Sequence, residues 1–251
     1  MFGLFKKKPN TSIVEIENFE AIGVDFHSHL IPAIDDGVQN LEESITILRN
    51  FHKLGYKRII TSPHIMTESY NNNRETIEKG YLEVLAQLKK EEIPIQFEFA
   101  AEYYIDDTFE ERMNSEALLT FCDNHLLIEK SMFQESSYFN EIVYKLLIKG
   151  YKVIIAHPER YKYMYEHHKI TLFEEMRDRG SLLQINLFSL IGLYGKQTQE
   201  IAEKLIDADL VDFVSSDIHK PDQLAYMRDV LKNPYFAKLL KRESLLNAKL
   251  L

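Results

Sequence analysis

Ala21-Ile-Gly-Val-Asp-Phe-His-Ser-His29 is a short apolar run that ends on two histidines one residue apart. It is too short for a helix and reads as a buried strand. Side chains at i and i+2 on an extended chain point the same way, so His27 and His29 can serve one centre. Asn40–Lys53, next along the chain, reads as an amphipathic helix. Asn40 is its N-cap and Glu43 the capping-box partner; Ile45, Leu48 and Phe51 form the apolar stripe, and Gly55 closes it.

The same unit recurs. Ala21–His27, Arg58–Thr61, Ile95–Ala101, Leu126–Glu129, Lys152–Ala156, Leu182–Asn186 and Asp212–Ser215 read as strands. Arg74–Glu91, Phe139–Lys149, Ile170–Arg179 and Lys196–Asp207 read as helices between them, and Asp222–Leu231 and Tyr235–Leu246 as helices that finish the chain. Buried strands alternating with helices predict an α/β protein with a parallel sheet. With this many units a (β/α) barrel of about seven strands is favoured over an open sheet. No long Gly/Pro-rich linker divides the chain, so one domain over 21–251 is expected after an N-terminal extension, residues 1–20.

The chemistry sits just past the strands. His27-Ser-His29 comes after the first, Ser62-Pro-His64 after the second, Glu102 after the third, Glu129 at the end of the fourth, His157-Pro-Glu-Arg160 after the fifth and Asp217-Ile-His219 after the last. In a barrel the C-terminal strand ends gather on one face, where active sites lie. Asp217 and His219 repeat the i, i+2 geometry of the first pair. Glu102, Glu129 and Asp217 confined together would repel, and divalent cations reverse that balance while keeping the histidines as neutral ligands. Imidazole and carboxylate suit Mn, Fe and Zn, and a site without thiolate does not choose sharply among them. His52 reads as a helix-end residue, and His125, His167 and His168 as surface or segment-edge residues.

Composition removes several classes. Thirty Lys+Arg against thirty-nine Asp+Glu leave −9, which argues against a nucleic-acid binder. No apolar run is long enough to span a membrane. No signal peptide is evident, and Phe2, Leu4 and Phe5 beside Lys6–Lys8 read as a solvated tail; a cytoplasmic protein is expected. A cysteine phosphatase needs Cys-x5-Arg, but Cys122 is the only cysteine and Ile128 stands where the arginine would be. Gly195-Lys196-Gln197 likewise fails as a Walker loop.

Asp25-Phe-His-Ser-His-Leu-Ile-Pro-Ala-Ile-Asp-Asp-Gly37, Thr61-Ser-Pro-His64, Ala101-Glu102, Leu127-Ile-Glu129, Ala156-His-Pro-Glu-Arg160 and Ser215-Ser-Asp-Ile-His219 together resemble the PHP (polymerase and histidinol phosphatase) superfamily. Within it they are similar to the bacterial manganese-dependent protein-tyrosine phosphatases of capsule and exopolysaccharide loci, the CpsB/CapC type. The resemblance runs from about Gly23 to about Met227. It implies a distorted (β/α)7 barrel of the PHP type with three divalent ions, Mn2+ foremost and Fe or Zn as alternatives. His27, His29, Glu102 and Asp217 would hold one ion. Glu102 would bridge to a second, completed by Glu129 and His157. His64 and His219 would hold the third, with Asp35 or its neighbour Asp36 as the extra ligand and Asp35 preferred. Arg160 matches the phosphate-binding arginine. Two departures stand out: Ala33 occupies a position expected to be Gly, and the stretch Lys220–Met227 lacks an expected arginine, whose charge but not whose fork Lys220 could replace.

The implied reaction is hydrolysis of a phosphomonoester by metal-activated water, with Arg160 on the phosphoryl oxygens and His219 or a second water as the acid. The implied partner is a phosphotyrosine protein, namely the tyrosine-rich tail of a bacterial kinase that controls polysaccharide export. A small-molecule phosphatase of the histidinol-phosphate type and a non-enzymatic metal-binding adaptor are the competing readings. Tyr161, Tyr163, Tyr165, Tyr194 and Phe188 line a phosphotyrosine cleft on one reading and pack the barrel rim on another. The resident metal and the oligomeric state are not legible.

Overall fold

The computed structural model describes residues 16–164 and 170–251. The expectations for Phe2, Leu4, Phe5, Lys6–Lys8, Tyr165, His167 and His168 lie outside the described residues.

The strands are β1 (Val24–Asp25), β2 (Arg58–Thr61), β3 (His64–Ile65), β4 (Gln96–Phe99), β5 (Glu102–Tyr104), β6 (His125–Glu129), β7 (Lys152–Ala156), β8 (Leu182–Asn186) and β9 (Phe213–Ser215). All strand pairs are parallel, in the orders β1-β2-β4 and β3-β5-β6-β7-β8-β9. Pro63 has no N–H to give a ladder, and it separates β2 from β3. Yet pairing continues across both breaks: the N–H of Ala100 donates to Thr61 O at 2.8 Å and that of Glu102 to Pro63 O at 3.1 Å. β2 and β3 are thus halves of one extended segment, as are β4 and β5, and the described residues make seven parallel passes.

β1 and β9 share no regular ladder. At the upper end a single bridge joins Ser28 to Ile218, with the N–H of Asp217 donating to His27 O at 2.8 Å and that of His29 to Ile218 O at 3.0 Å. Lower down, side chains replace backbone. Ser215 Oγ accepts from the N–H of Phe26 and of His27, each at 3.0 Å, and Asp25 Oδ2 accepts from the N–H of Ser216 at 2.6 Å. The buried Asn247 amide spans the gap, bonding both Val214 N–H and C=O and donating to Val24 O at 3.3 Å. These side chains serve backbone groups that the missing ladder would otherwise leave bare, as burial demands.

Helices α1 (Leu41–Lys53), α2 (Arg74–Lys90), α3 (Phe109–Ser115), α4 (Phe139–Ile148), α5 (Thr171–Asp178), α6 (Lys196–Asp207), α7 (Leu224–Leu231) and α8 (Pro234–Leu239) accompany the strands. Asn40 caps α1 by accepting from the N–H of Glu43 at 3.0 Å; the returning Glu43 carboxylate takes the Gln39 N–H rather than that of Asn40. The helix expected over Tyr235–Leu246 stops at Leu239, because the chain must turn back to place Asn247 in the β1–β9 gap. Alternation along the strands separates two cores. Ile59, Leu126, Ile128, Val153, Ile155, Leu183 and Ile185 join the large cluster, whereas Val24, Phe26, Ile60, Leu127, Ile154 and Phe213 form a smaller one with Phe121 and Leu250.

Candidate metal centre

The C-terminal strand ends bring the predicted ligands together. His27 and His29 follow β1, His64 opens β3, Glu102 opens β5, Glu129 ends β6, His157 follows β7, and Asp217 and His219 follow β9. His157 (φ 33°) and Asp217 (φ 53°) sit in the left-handed region. That conformation costs an L residue about 1–2 kcal/mol and gathers at functional sites.

Glu102, fully buried, lies at the middle. Its Oε2 is 3.1 Å from His27 Nε2, 3.5 Å from His29 Nε2 and 3.2 Å from His64 Nδ1, and its Oε1 is 3.1 Å from His157 Nε2. Asp217 Oδ1 lies 3.3 and 3.4 Å from Nε2 of His27 and His29. Glu129 approaches His64 Nδ1 at 3.1 Å and His157 Nε2 at 3.7 Å. At the outer edge Asp36 Oδ1 faces Nε2 of His64 at 3.6 Å and of His219 at 3.5 Å.

Despite this crowding, His27 Nε2, His29 Nε2, His64 Nδ1 and Glu102 Oε2 are buried without a hydrogen bond. Buried polar atoms aimed at one another and left unbonded require another partner. Four overlapping donor sets each fall within 4.8 Å: His27/His29/Asp217, His27/Glu102/His157, His64/Glu102/Glu129 and His29/Asp36/His64/His219. Their number, spacing and mixed imidazole–carboxylate chemistry fit several divalent ions.

The electrostatics agree. Burial opposes charge on His27 and His64, but Glu102 with Asp217, and Glu129 with Glu102, outweigh it and raise each imidazole to about 9. Burial likewise opposes charge on Glu102 and Asp217, and the histidines, His27 first, hold both carboxyls well below their usual range. Protons balance the acids in the metal-free cage, and metal uptake must displace them.

Asp35 is not among the donor sets, and Asp36 is. The Asp35 carboxylate is spent one layer out, facing His29 Nδ1 at 2.8 Å and accepting the N–H of His64 and of Gly37 at 3.0 Å each. It orients His29 and leaves Nε2 for the cage, the carboxylate–histidine arrangement common behind metal ligands. Gly37 lets this happen: a Cβ there would come within 2.4 Å of His29 Cβ and of its carbonyl oxygen.

β8 supplies no ligand, and none of its residues was expected at the site. It supplies a directed relay instead. His27 Nδ1 meets Gln184 Oε1 at 2.9 Å, Gln184 Nε2 donates to Asn186 Oδ1 at 2.9 Å, and Asn186 Nδ2 donates to Asp217 Oδ2 at 2.6 Å. Because Gln184 Oε1 only accepts, His27 Nδ1 carries the proton and Nε2 is left facing the cage. The signal was available as a third polar i, i+2 pair, Gln184 and Asn186, at a strand end.

Arg160 Nη1 donates to Asp217 Oδ2 at 3.0 Å, and its guanidinium lies 4.3 Å over the Tyr194 ring. Burial opposes the Arg160 charge, and Asp217 beside it raises its pKa. Arg160, Tyr194 and Lys220 line a cavity of about 500 Å³ above the cage. Tyr161 is buried, with its hydroxyl donating to Ala156 O, and Tyr163 stacks on it; both rings pack around Lys130 rather than line the cavity. Phe188 is also fully buried. His52 lies in the last turn of α1. His125, expected at the surface or a segment edge, is buried at the start of β6. Cys122 Sγ lies 3.7 Å from the Leu250 carbonyl, outside the cage.

A parallel α/β fold with a His/Asp/Glu cage able to hold metal at its strand ends defines a metal-dependent hydrolase of the barrel type. The sequence profile for capsular polysaccharide synthesis, CpsB/CapC, matches residues 23–233, and the chain belongs to the CpsB/CapC family. It is 32% identical over 197 residues to the tyrosine-protein phosphatase YwqE of Bacillus subtilis, covering 78% of this chain and 77% of YwqE. It is 27% identical to the tyrosine-protein phosphatase CpsB of Streptococcus pneumoniae, covering 87% of this chain and 93% of that one. A crystal structure from a study of YwqE and CpsB, both metal-dependent tyrosine phosphatases, superposes with a TM-score of 0.75 at 29% identity over 90% of this chain and 94% of that one. A histidinol phosphate phosphatase from Lactococcus lactis shares the fold, with a TM-score of 0.50 at 14% identity, over 84% of this chain and 92% of that one.

Proposed function

We propose that this chain is a metal-dependent protein-tyrosine phosphatase, carried by one observation: eight His, Glu and Asp side chains from six strand ends meet in one cage, and six of them line the same cavity as Arg160. His27, His29, His64, Glu102, Glu129, His157, Asp217 and His219 would hold the ions, with Asp36 in place of Asp35. Mn2+ is the proposed metal. Bound divalent ions supply Lewis acidity, which brings the ionisation of water from about 15.7 toward 7 and offsets phosphoryl charge. Arg160 binds phosphoryl oxygens and stays oriented by Asp217 and Tyr194. Lys220, also lining the cavity, adds positive charge at the rim without an arginine's fork.

His219 Nδ1 donates to the Asp217 carbonyl at 2.9 Å, so Nε2 is its one free ring nitrogen. That atom cannot both hold a metal and deliver a proton, and we assign it to the metal. A tyrosine leaving group, with a pKa of about 10, needs little help from an acid. The proposed substrate is the tyrosine-rich tail of a bacterial tyrosine kinase controlling capsule or exopolysaccharide synthesis, met in the cytoplasm. No helix among the described residues is long and apolar enough to cross a membrane.

The test is turnover by chelator-stripped protein before and after Mn2+ addition, on a phosphotyrosine peptide, a phosphoserine peptide and histidinol phosphate. The expected result is metal-restored activity on the phosphotyrosine peptide above the others. Metal-loaded protein inert toward all three would overturn the proposal, and a preference for histidinol phosphate would reassign the substrate.

A further inference from the structure

The cavity above the cage has two unlike parts. Its base is polar and metal-facing, whereas its rim carries Met132, Leu193 and Tyr226. Among the described residues few large apolar side chains are exposed, and two of them, Leu193 (37%) and Tyr226 (38%), stand at this one rim. Such exposure at the mouth of a polar site marks a surface kept for a ligand.

The rim is braced. Tyr226 sets its ring edge-to-face against Phe188, with centroids 6.2 Å apart and planes at 73°. The Leu193 N–H donates to the Phe188 carbonyl at 3.2 Å. One fully buried phenylalanine therefore fixes both rim residues. Tyr194, the aromatic residue beside them, already has a ring face under the Arg160 guanidinium. A phosphoryl group held by the cage and Arg160 would leave its ester group in the same cavity that Leu193, Tyr226 and Met132 line.

The geometry points to an aryl subsite at Leu193, Tyr226 and Met132 that receives the phenyl ring of an aryl phosphomonoester. This inference rests on the phosphatase reading above and adds to it the side chains that hold the substrate ring. An alkyl ester such as phosphoserine lacks the ring that would cover these side chains. Selectivity for aryl esters then comes from binding as well as from the better leaving group.

Non-hydrolysable ligands separate the two contributions. Calorimetric titration of the Mn2+-loaded protein with phenylphosphonate and methylphosphonate is expected to give about 10-fold tighter binding of the phenyl compound, and Tyr226→Ala and Leu193→Ala are each expected to cut that ratio about 3-fold. Tyr226→Phe keeps the ring and is expected to keep the ratio. Equal affinity of the two phosphonates, or a loss in Tyr226→Ala that falls equally on both, would overturn the subsite. Binding of neither, together with no turnover of any phosphomonoester, would overturn the phosphatase reading itself.

Discussion

One face of strand β6 carries His125 at its start and Glu129 at its end, with Leu127 of the small core between them. The two ends do unlike work. His125 stacks on Phe121 at 5.7 Å, meets Phe213 edge-on at 5.9 Å and turns Nδ1 to the Cys122 carbonyl; burial pushes its pKa down. Glu129, four residues on, faces His64 and His157 in the cage. A histidine at the floor of a parallel ring packs against aromatic rings, whereas acids and histidines at the mouth converge on one another in the cage. Position along the strand, more than residue type, decides the role.

The largest effects should separate these ends. Asp217→Ala or His27→Ala is expected to lower kcat/KM on phosphotyrosine peptide by about 10³-fold or more with the circular dichroism of the fold retained. His125→Ala is expected to leave turnover near wild type while lowering unfolding free energy by about 1–3 kcal/mol, measured by urea titration. Turnover lost in a folded His125→Ala protein would break the comparison.

Gln184→Leu keeps every ligand but cuts the relay behind His27. It is expected to weaken metal affinity about 10- to 100-fold, read by competition with a chromogenic chelator. Unchanged affinity would remove Gln184 from any orienting role.

The pH response comes next. In the metal-free protein His27 and His64 are raised from 6.5 to about 9, so the stability they contribute is full below about pH 6.5 and is lost as pH rises toward 9. Metal-loaded protein holds these rings neutral and should lack that loss. Melting temperature across this window, with and without Mn2+, checks the difference; parallel curves would contradict it.

The smallest expected effect concerns Ala33, which has φ 58°. Glycine suits such a conformation, and Ala33→Gly is expected to stabilise the protein by about 0.5–1 kcal/mol in thermal unfolding. A destabilised variant would show that this loop relies on the alanine methyl.

Much of the fold and the cage is legible in the chain because each strand is a short buried run and each ligand lies at or just past the end of one. The order of strand, turn and ligand is local, so spacing alone exposes it at His27, His64, Glu102, Glu129, His157 and Asp217. The features that stay hidden depend on contacts remote in sequence. Asp35 and Asp36 look alike until the fold turns one toward His29 Nδ1 and the other toward His64 and His219. The apolar pattern of Tyr235–Leu246 continues a helix, but Asn247 is needed some thirty residues away, beside Val214, and the helix ends early. Tyr226 looks like one more helix residue because nothing in its neighbourhood announces the cavity.

The bridge between Ser28 and Ile218 ties metal binding to the integrity of the ring. Cage residues flank it on both sides of the joint, His27 and His29 on one strand and Asp217 and His219 on the other. Any ion shared by His27 and Asp217 would join residues 190 apart in the chain, and because it binds the folded state and not the unfolded one it would stabilise the fold in proportion to the logarithm of metal concentration over Kd. Chelation would then do more than silence the enzyme. It would unfasten the barrel where its first and last strands meet, and amide exchange should quicken there before anywhere else in the ring.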